Sequence, residues 1–202
     1  LNYGGYDSVF SEPRLMNTNS NGGYTLFYST NTAGGGKNFS TAAEKATFQR
    51  ALTTWKEQVG VNFEEGGTTT IQKVAADGQN VIMFDNSNTT IPALPSGTLA
   101  KTISFFSACI NTSPLTVFTS QKVGFDLVIR NQGVSQGSTP FTVGPCFPSQ
   151  DEYDLETVIL HELGHALNLA HINDPYEGNV FPNFNPSKLM NFSILNYVSR
   201  RS

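Results

Sequence analysis

All three histidines of this chain fall between positions 161 and 171. In His161-Glu162-Leu163-Gly164-His165, two imidazoles stand at i and i+4, which on a helix lie one turn apart on one face and can reach a single ion. Glu162 then sits beside that ion, where a carboxylate can take a proton from water. Zinc in hydrolases takes three protein ligands and leaves a fourth position for water. A third ligand is therefore required, and His171 follows His165 by six residues. A helix continued through Asn168 would point His171 away from the other two, so the spacing predicts that the helix ends near Asn168 and reverses. Five-residue motifs recur by chance in unrelated helices. Here every histidine of the chain stands at ligand spacing, with a carboxylate where water activation needs one, and that argues against chance. The chemistry expected is hydrolysis at one Zn2+ ion held by His161, His165 and His171, with Glu162 as general base.

The elements that must position these groups are also readable. A helix is expected to begin near Asp151 to Asp154, where acidic side chains suit the positive end of the helix dipole, and to run through Leu155, Val158, Ile159 and Leu163. An earlier helix is announced by Thr41 and Glu44 at capping-box spacing, then Phe48, Leu52, Trp55 and Val59 at helical intervals up to Gly60. Strands are expected at 24–29, 71–75, 80–85, 98–105 and 124–130, between clusters of Gly, Pro, Asn and Ser. Residues 172–188 contain Pro175, Gly178, Pro182 and Pro186 and read as an ordered irregular loop.

With 202 residues and 38% hydrophobic content, the chain can bury one core, so a single domain is expected. Only 14% of residues are charged, a balance that suits an extracellular protein. The net charge of -4 and the absence of a dense Lys/Arg run give no footprint for nucleic acid or an anionic membrane. No apolar run approaches the ~20 residues needed to cross a bilayer, and the opening Leu1-Asn2-Tyr3 reads as a processed or truncated product. Secretion and a monomeric state are expected. Cys109 and Cys146 are expected to form one disulfide in that setting, the alternative being two buried thiols.

Residues 161–171 resemble the signature of the metzincin metalloendopeptidases, His-Glu-x-x-His-x-x-Gly-x-x-His, at all but one position. The resemblance implies that Met190 is the methionine of the turn beneath the zinc site. It looks most like the matrixin branch, since Thr98-Leu99-Ala100-Lys101-Thr102 is similar to the edge strand lining that family's substrate cleft and Phe125 to Ile129 to the next strand. The likeness extends over about residues 23–195. It implies an α+β fold: a twisted, mostly parallel sheet with an antiparallel edge strand, two long helices, and an irregular C-terminal part with the Met-turn. An upper part spans about 1–168 and a lower part about 169–202. It further implies a protein or peptide substrate lying extended along Thr98 to Thr102, and a primary pocket walled by Asn191, Phe192, Ser193 and Ile194.

The chain departs from the family pattern at several points. Asn168 replaces the signature glycine, and asparagine is the residue that, after glycine, most readily takes the left-handed conformation a reversal needs. Phe192 stands where some metzincins carry a tyrosine near the metal. Ile172 matches no subfamily marker, and the sequence stops at Arg200-Arg201-Ser202, soon after the turn, so the family's terminal helix is expected either to have been removed or to be lacking in this branch. Asp151, Glu152, Asp154, Asp174 and Glu177 flank the motif but lack the regular spacing of a calcium loop, so they read as a solvated acidic face rather than a Ca2+ site. Sequons occur at Asn38, Asn88, Asn111 and Asn191. Two rival readings stay open: a gluzincin whose third ligand is Glu177, and a non-catalytic extracellular domain that keeps zinc for stability.

Overall fold

The computed structural model describes residues 14–15, 23–30, 38–39, 41–85, 94–110, 118–131, 141–172, 188–191 and 194, with backbone alone at 14–15, 108–110 and 118–121. The element order is β1 (Arg14–Leu15), β2 (Thr25–Ser29), α1 (Ala42–Val59), β3 (Glu64–Thr69), β4 (Asn80–Phe84), β5 (Ala100–Ile110), β6 (Phe118–Ile129), β7 (Phe141–Thr142), β8 (Tyr153–Asp154) and α2 (Leu155–Ala166).

The start of α1 is fixed by its sequence. The Thr41 hydroxyl accepts from the Glu44 N–H at 3.2 Å, and the Glu44 carboxylate accepts from the Thr41 N–H at 3.2 Å, a reciprocal box that satisfies two otherwise unpaired donors. The helix stops at Gly60, whose φ of 74° is a left-handed cap open to glycine without steric cost. Its inner face buries Thr47, Phe48, Ala51, Leu52 and Trp55. Trp55 reaches further, donating its indole N–H to the Leu160 carbonyl at 3.0 Å and so fastening α1 to the middle of α2.

The sheet runs β1-β6-β4-β2-β3 with every pairing parallel, and β5 joins the other side of β6 as its antiparallel partner. This is the mostly parallel sheet with an antiparallel edge that the sequence led us to expect. β4 is buried along its whole length, which is why it reads as an unbroken apolar run rather than an alternation. Ile82, Phe84, Phe125, Leu127 and Ile129 pack with the helices in the main core. Val81, Met83, Leu94 and Val128 form a smaller cluster with Ile71, Val74 and Ile103. Asp126 is buried, its carboxylate accepting from the Val81 and Ala75 N–H groups at 2.9 and 3.1 Å.

Two strand expectations need correction. Residues 71–75 form no strand; Gln72 instead anchors that stretch by donating to the Phe84 carbonyl at 2.6 Å and accepting from the Ser29 hydroxyl at 3.0 Å. The strand lies earlier, at β3, where Gly66 and Gly67 mask the β signal. The Phe27 ring lies where a Cβ on Gly66 would stand, so packing requires the residue that propensity disfavours. The edge strand begins at Ala100, and Thr98 and Leu99 form its lead-in. Arg130, just beyond β6, holds that lead-in: its N–H donates to the Leu99 carbonyl at 2.8 Å and its Nε to the Thr98 carbonyl at 2.6 Å.

Candidate active site

α2 carries the motif on a helix that is buried at nearly every position. Asp154 caps it, accepting from the Thr157 N–H at 3.2 Å and the Thr157 hydroxyl at 2.6 Å. Glu156, also buried, pairs with Arg50 of α1 at 2.7 Å. The helix gives way after Ala166, and Asn168 has a φ of 63°, the only positive value at a non-glycine residue among those described. The reversal falls where the replacement of glycine by asparagine predicts it. Lys122, buried on β6, donates to the Ala166 carbonyl and reaches the Asn168 side chain at 3.4 Å, closing off the helix end.

The reversal returns His171 to the face that carries His161 and His165. Their three Nε2 atoms stand 3.0 to 3.1 Å apart. Three nitrogens at about 2.0 to 2.1 Å from one tetrahedral ion lie roughly 3.3 Å from one another, so the triad fits a zinc ion with little adjustment. The far sides of two rings agree: a carbonyl can only accept, so His161 Nδ1 donates to the Leu189 carbonyl at 2.7 Å and His165 Nδ1 to the Leu169 carbonyl at 2.8 Å. That fixes the tautomer that turns the Nε2 lone pair inward. Burial, followed by the neighbouring His171, lowers the His165 pKa to about 4, which keeps this ring in the neutral form a ligand needs. Among the described residues this is the only cluster of three metal-ligating side chains.

Glu162 is buried one residue along the helix. Burial pushes its carboxyl up to about 7, opposed by hydrogen bonds from the Thr102 hydroxyl and backbone N–H. A base poised near neutrality is suited to taking and returning a proton. Beneath the helix, Met190 is buried in the turn 188–191. A Cβ on Gly164 would collide with the Met190 sulfur, and would also meet the Trp55 ring at 3.4 Å. The glycine inside the motif is what lets the turn approach the helix.

The triad and Glu162 floor a cleft of about 610 Å³. Thr98, Leu99, Ala100, Lys101 and Thr102 form one wall, and Tyr153, Val158 and Ile194 line it elsewhere. Gly97, Tyr153 and Val158 were not anticipated from the sequence. Val158 stands three residues before His161, a helical spacing that could have revealed it; nothing local marks Tyr153. Phe192, Asp174 and Glu177 lie outside the described residues. Cys146 is exposed ahead of α2, and the Cys109 side chain lies outside those described. Asp154 and Glu152 are occupied as hydrogen-bond acceptors for neighbouring loop and helix groups. The sequon asparagines Asn38 and Asn191 are buried, while Asn88 and Asn111 lie outside the described residues.

A mostly parallel sheet with an antiparallel edge, an active-site helix ending in a left-handed reversal, and three converging imidazoles above a methionine turn define a zinc endopeptidase of the metzincin type. Comparison with known families matches residues 21–194 to the matrixins, and the chain belongs to that family. A search of curated proteins finds no match.

Proposed function

We propose that this zinc endopeptidase binds its protein or peptide substrate as an added strand along β5, cleaves with Glu162 as general base, and does so as a secreted, monomeric single domain. The observation that carries the reading is the placement of Glu162 and three converging imidazoles on the floor of a cleft walled by a strand edge. A zinc ion held by His161, His165 and His171 supplies a Lewis acid for the peptide carbonyl and acidifies a bound water.

The protein supplies the remainder. The β5 edge offers backbone N–H and C=O groups to an extended peptide. Among the described residues, β6 is its only strand partner. Glu162 takes the proton of the attacking water and passes it to the leaving nitrogen, so the carboxylate is regenerated when the amine departs. Tyr153, Val158 and Ile194 give the cleft an apolar wall for one substrate side chain, and Phe192 is assigned to the same wall by the family resemblance. Matrixin membership supports an extracellular setting, and no helix among the described residues is long and apolar enough to cross a membrane.

The test is proteolysis of casein or gelatin with and without a chelator, alongside Glu162→Gln. Activity that chelation abolishes, and that falls by about 10² to 10⁴ in the Gln variant at unchanged zinc content, is the expected result. Zinc binding without any proteolysis would instead favour a zinc-stabilised binding domain.

A further inference from the structure

Nothing in the motif accounts for what holds the Glu162 carboxylate in place. A glutamate has three side-chain torsions, and one that borders a cleft can turn its oxygens away from the reacting water. In this fold a residue of another element controls that choice. Thr102 of β5 pairs with Leu127 of β6, a fully buried residue, so its backbone is fixed by the sheet. Successive side chains of a strand point to opposite faces. Ala100 packs against the main core and Ile103 against the smaller cluster, so Thr102 shares the face of Ala100, toward α2. Its hydroxyl lies 2.6 Å from Glu162 Oε2 and 2.9 Å from the Glu162 main-chain oxygen. Threonine suits this place because branching at Cβ restricts its χ1.

We propose that Thr102 is the positioning residue for the base: its hydroxyl holds Oε2 of Glu162 and so restricts the side-chain torsions that aim the carboxylate. The inference rests on the reading of Glu162 as general base. The second acceptor matters as well. When the carboxylate has taken the water's proton it becomes a weaker acceptor, and the Thr102 hydrogen can swing to the main-chain oxygen of the same residue. The hydroxyl therefore has a partner in both protonation states, and the carboxyl can release its proton to the leaving nitrogen without stranding a buried donor. Thr102 also stands on the strand that receives the substrate, so the position of the base is set by the element that sets the position of the peptide bond.

A merely structural role, pinning β5 onto α2, would appear in folding, zinc content or KM. The deciding experiment measures kcat and KM, per mole of bound zinc, on a quenched fluorescent peptide built around a casein cleavage site. Thr102→Val keeps the shape and removes the hydroxyl, Thr102→Ser keeps the hydroxyl, and Thr102→Ala repeats its removal in case valine disturbs the cleft. We expect Thr102→Val and Thr102→Ala to lower kcat by about 10- to 100-fold, the scale of a misplaced catalytic group. KM should stay within about twofold, as for an interaction realised in the transition state. Thr102→Ser should recover most of the rate. Wild-type kcat in the valine and alanine variants, a rise in KM alone, or a serine variant as slow as valine would overturn the proposal. Glu162→Gln runs beside them: if it is inactive while Thr102→Val is fully active, only the role of Thr102 fails. An active Glu162→Gln removes the base reading and this one together.

Discussion

Gly164 has no room for a side chain, because the Met190 sulfur occupies the place a Cβ would take. Gly164→Ala should therefore destabilise the protein by about 1 to 3 kcal/mol, the cost of forcing an extra carbon into a packed interior. Thermal melts of the zinc-loaded protein would check it, and an unchanged Tm would show that the turn gives way freely. Asp126 allows a pH prediction. Burial raises its carboxyl pKa to about 7, and Asp77 adds to the rise, while the Val81 and Ala75 N–H groups and Lys73 oppose it. A folded pKa above the unfolded one means that the native state holds the proton more tightly, so the stabilisation is present below the ordinary value of 3.8 and is lost as pH rises through about 7. Asp126→Asn cannot titrate, so the stability of wild type relative to this variant should fall between pH 4 and 7; denaturant titrations across that range would reveal a constant difference if the shift is absent. At this scale the ligands and the base were legible because they are packed into eleven consecutive residues. The bond from Thr102 was not, because it depends on the register of a strand sixty residues away against the helix.

The helix boundaries were written in local chemistry. Thr41, Glu44 and Gly60 carry their meaning within one turn, so α1 could be placed from sequence, and Thr41→Ala should cost about 0.5 to 2 kcal/mol, read by the shift of the thermal midpoint. The end of α2 obeys the same logic. Asn168→Gly should be tolerated, whereas Asn168→Val, which places a branched side chain at positive φ, should cost about 1 to 2 kcal/mol and weaken zinc retention against a chelator. β3 was missed because Gly66 answers to the Phe27 ring from β2, a contact no local window contains, and Gly67 to a positive φ of 92°. The long hairpin of β5 and β6 was read short for a related reason. Its distal ends, Ala108 to Ile110 and Phe118 to Ser120, are placed by their pairing with each other across the hairpin, which no local window contains. We also propose the Cys109 to Cys146 disulfide, which would tie β5 to the approach to α2; labelling the unreduced, denatured protein with a thiol reagent should find neither cysteine.

Across the whole molecule, the metal ties the end of α2 to the segment beyond its reversal. His161 is fastened by its other ring nitrogen to Leu189, within the methionine turn, and His165 to Leu169. Zinc would thus join two imidazoles on one turn of α2 to a third beyond the reversal, and a ligand that binds only the folded state stabilises it. Removing zinc should lower the thermal midpoint as well as abolish activity, and restoring it should recover both. An apoprotein that melts with the holoprotein would show that packing alone sets the lower part of the molecule. The overall architecture was legible because one motif identified a family and the strand order agreed with it; the lining of the cleft by Tyr153 and Val158 emerged only once the chain was folded.

A strand edge that takes up a peptide by strand addition would be equally open to other copies of the same protein. Backbone groups on the free edge of a strand form a template for self-association, a hazard that natural edge strands blunt with charge. Lys101 is exposed on that edge, the one lysine or arginine lining the cleft among the described residues. Two copies pairing edge to edge in a register near this residue would bring the two ammonium groups together, whereas a peptide substrate need not carry a charge there. If Lys101 serves this purpose, Lys101→Val should turn a clear solution into one whose light scattering rises with protein concentration, and unchanged scattering would show that the edge is protected otherwise.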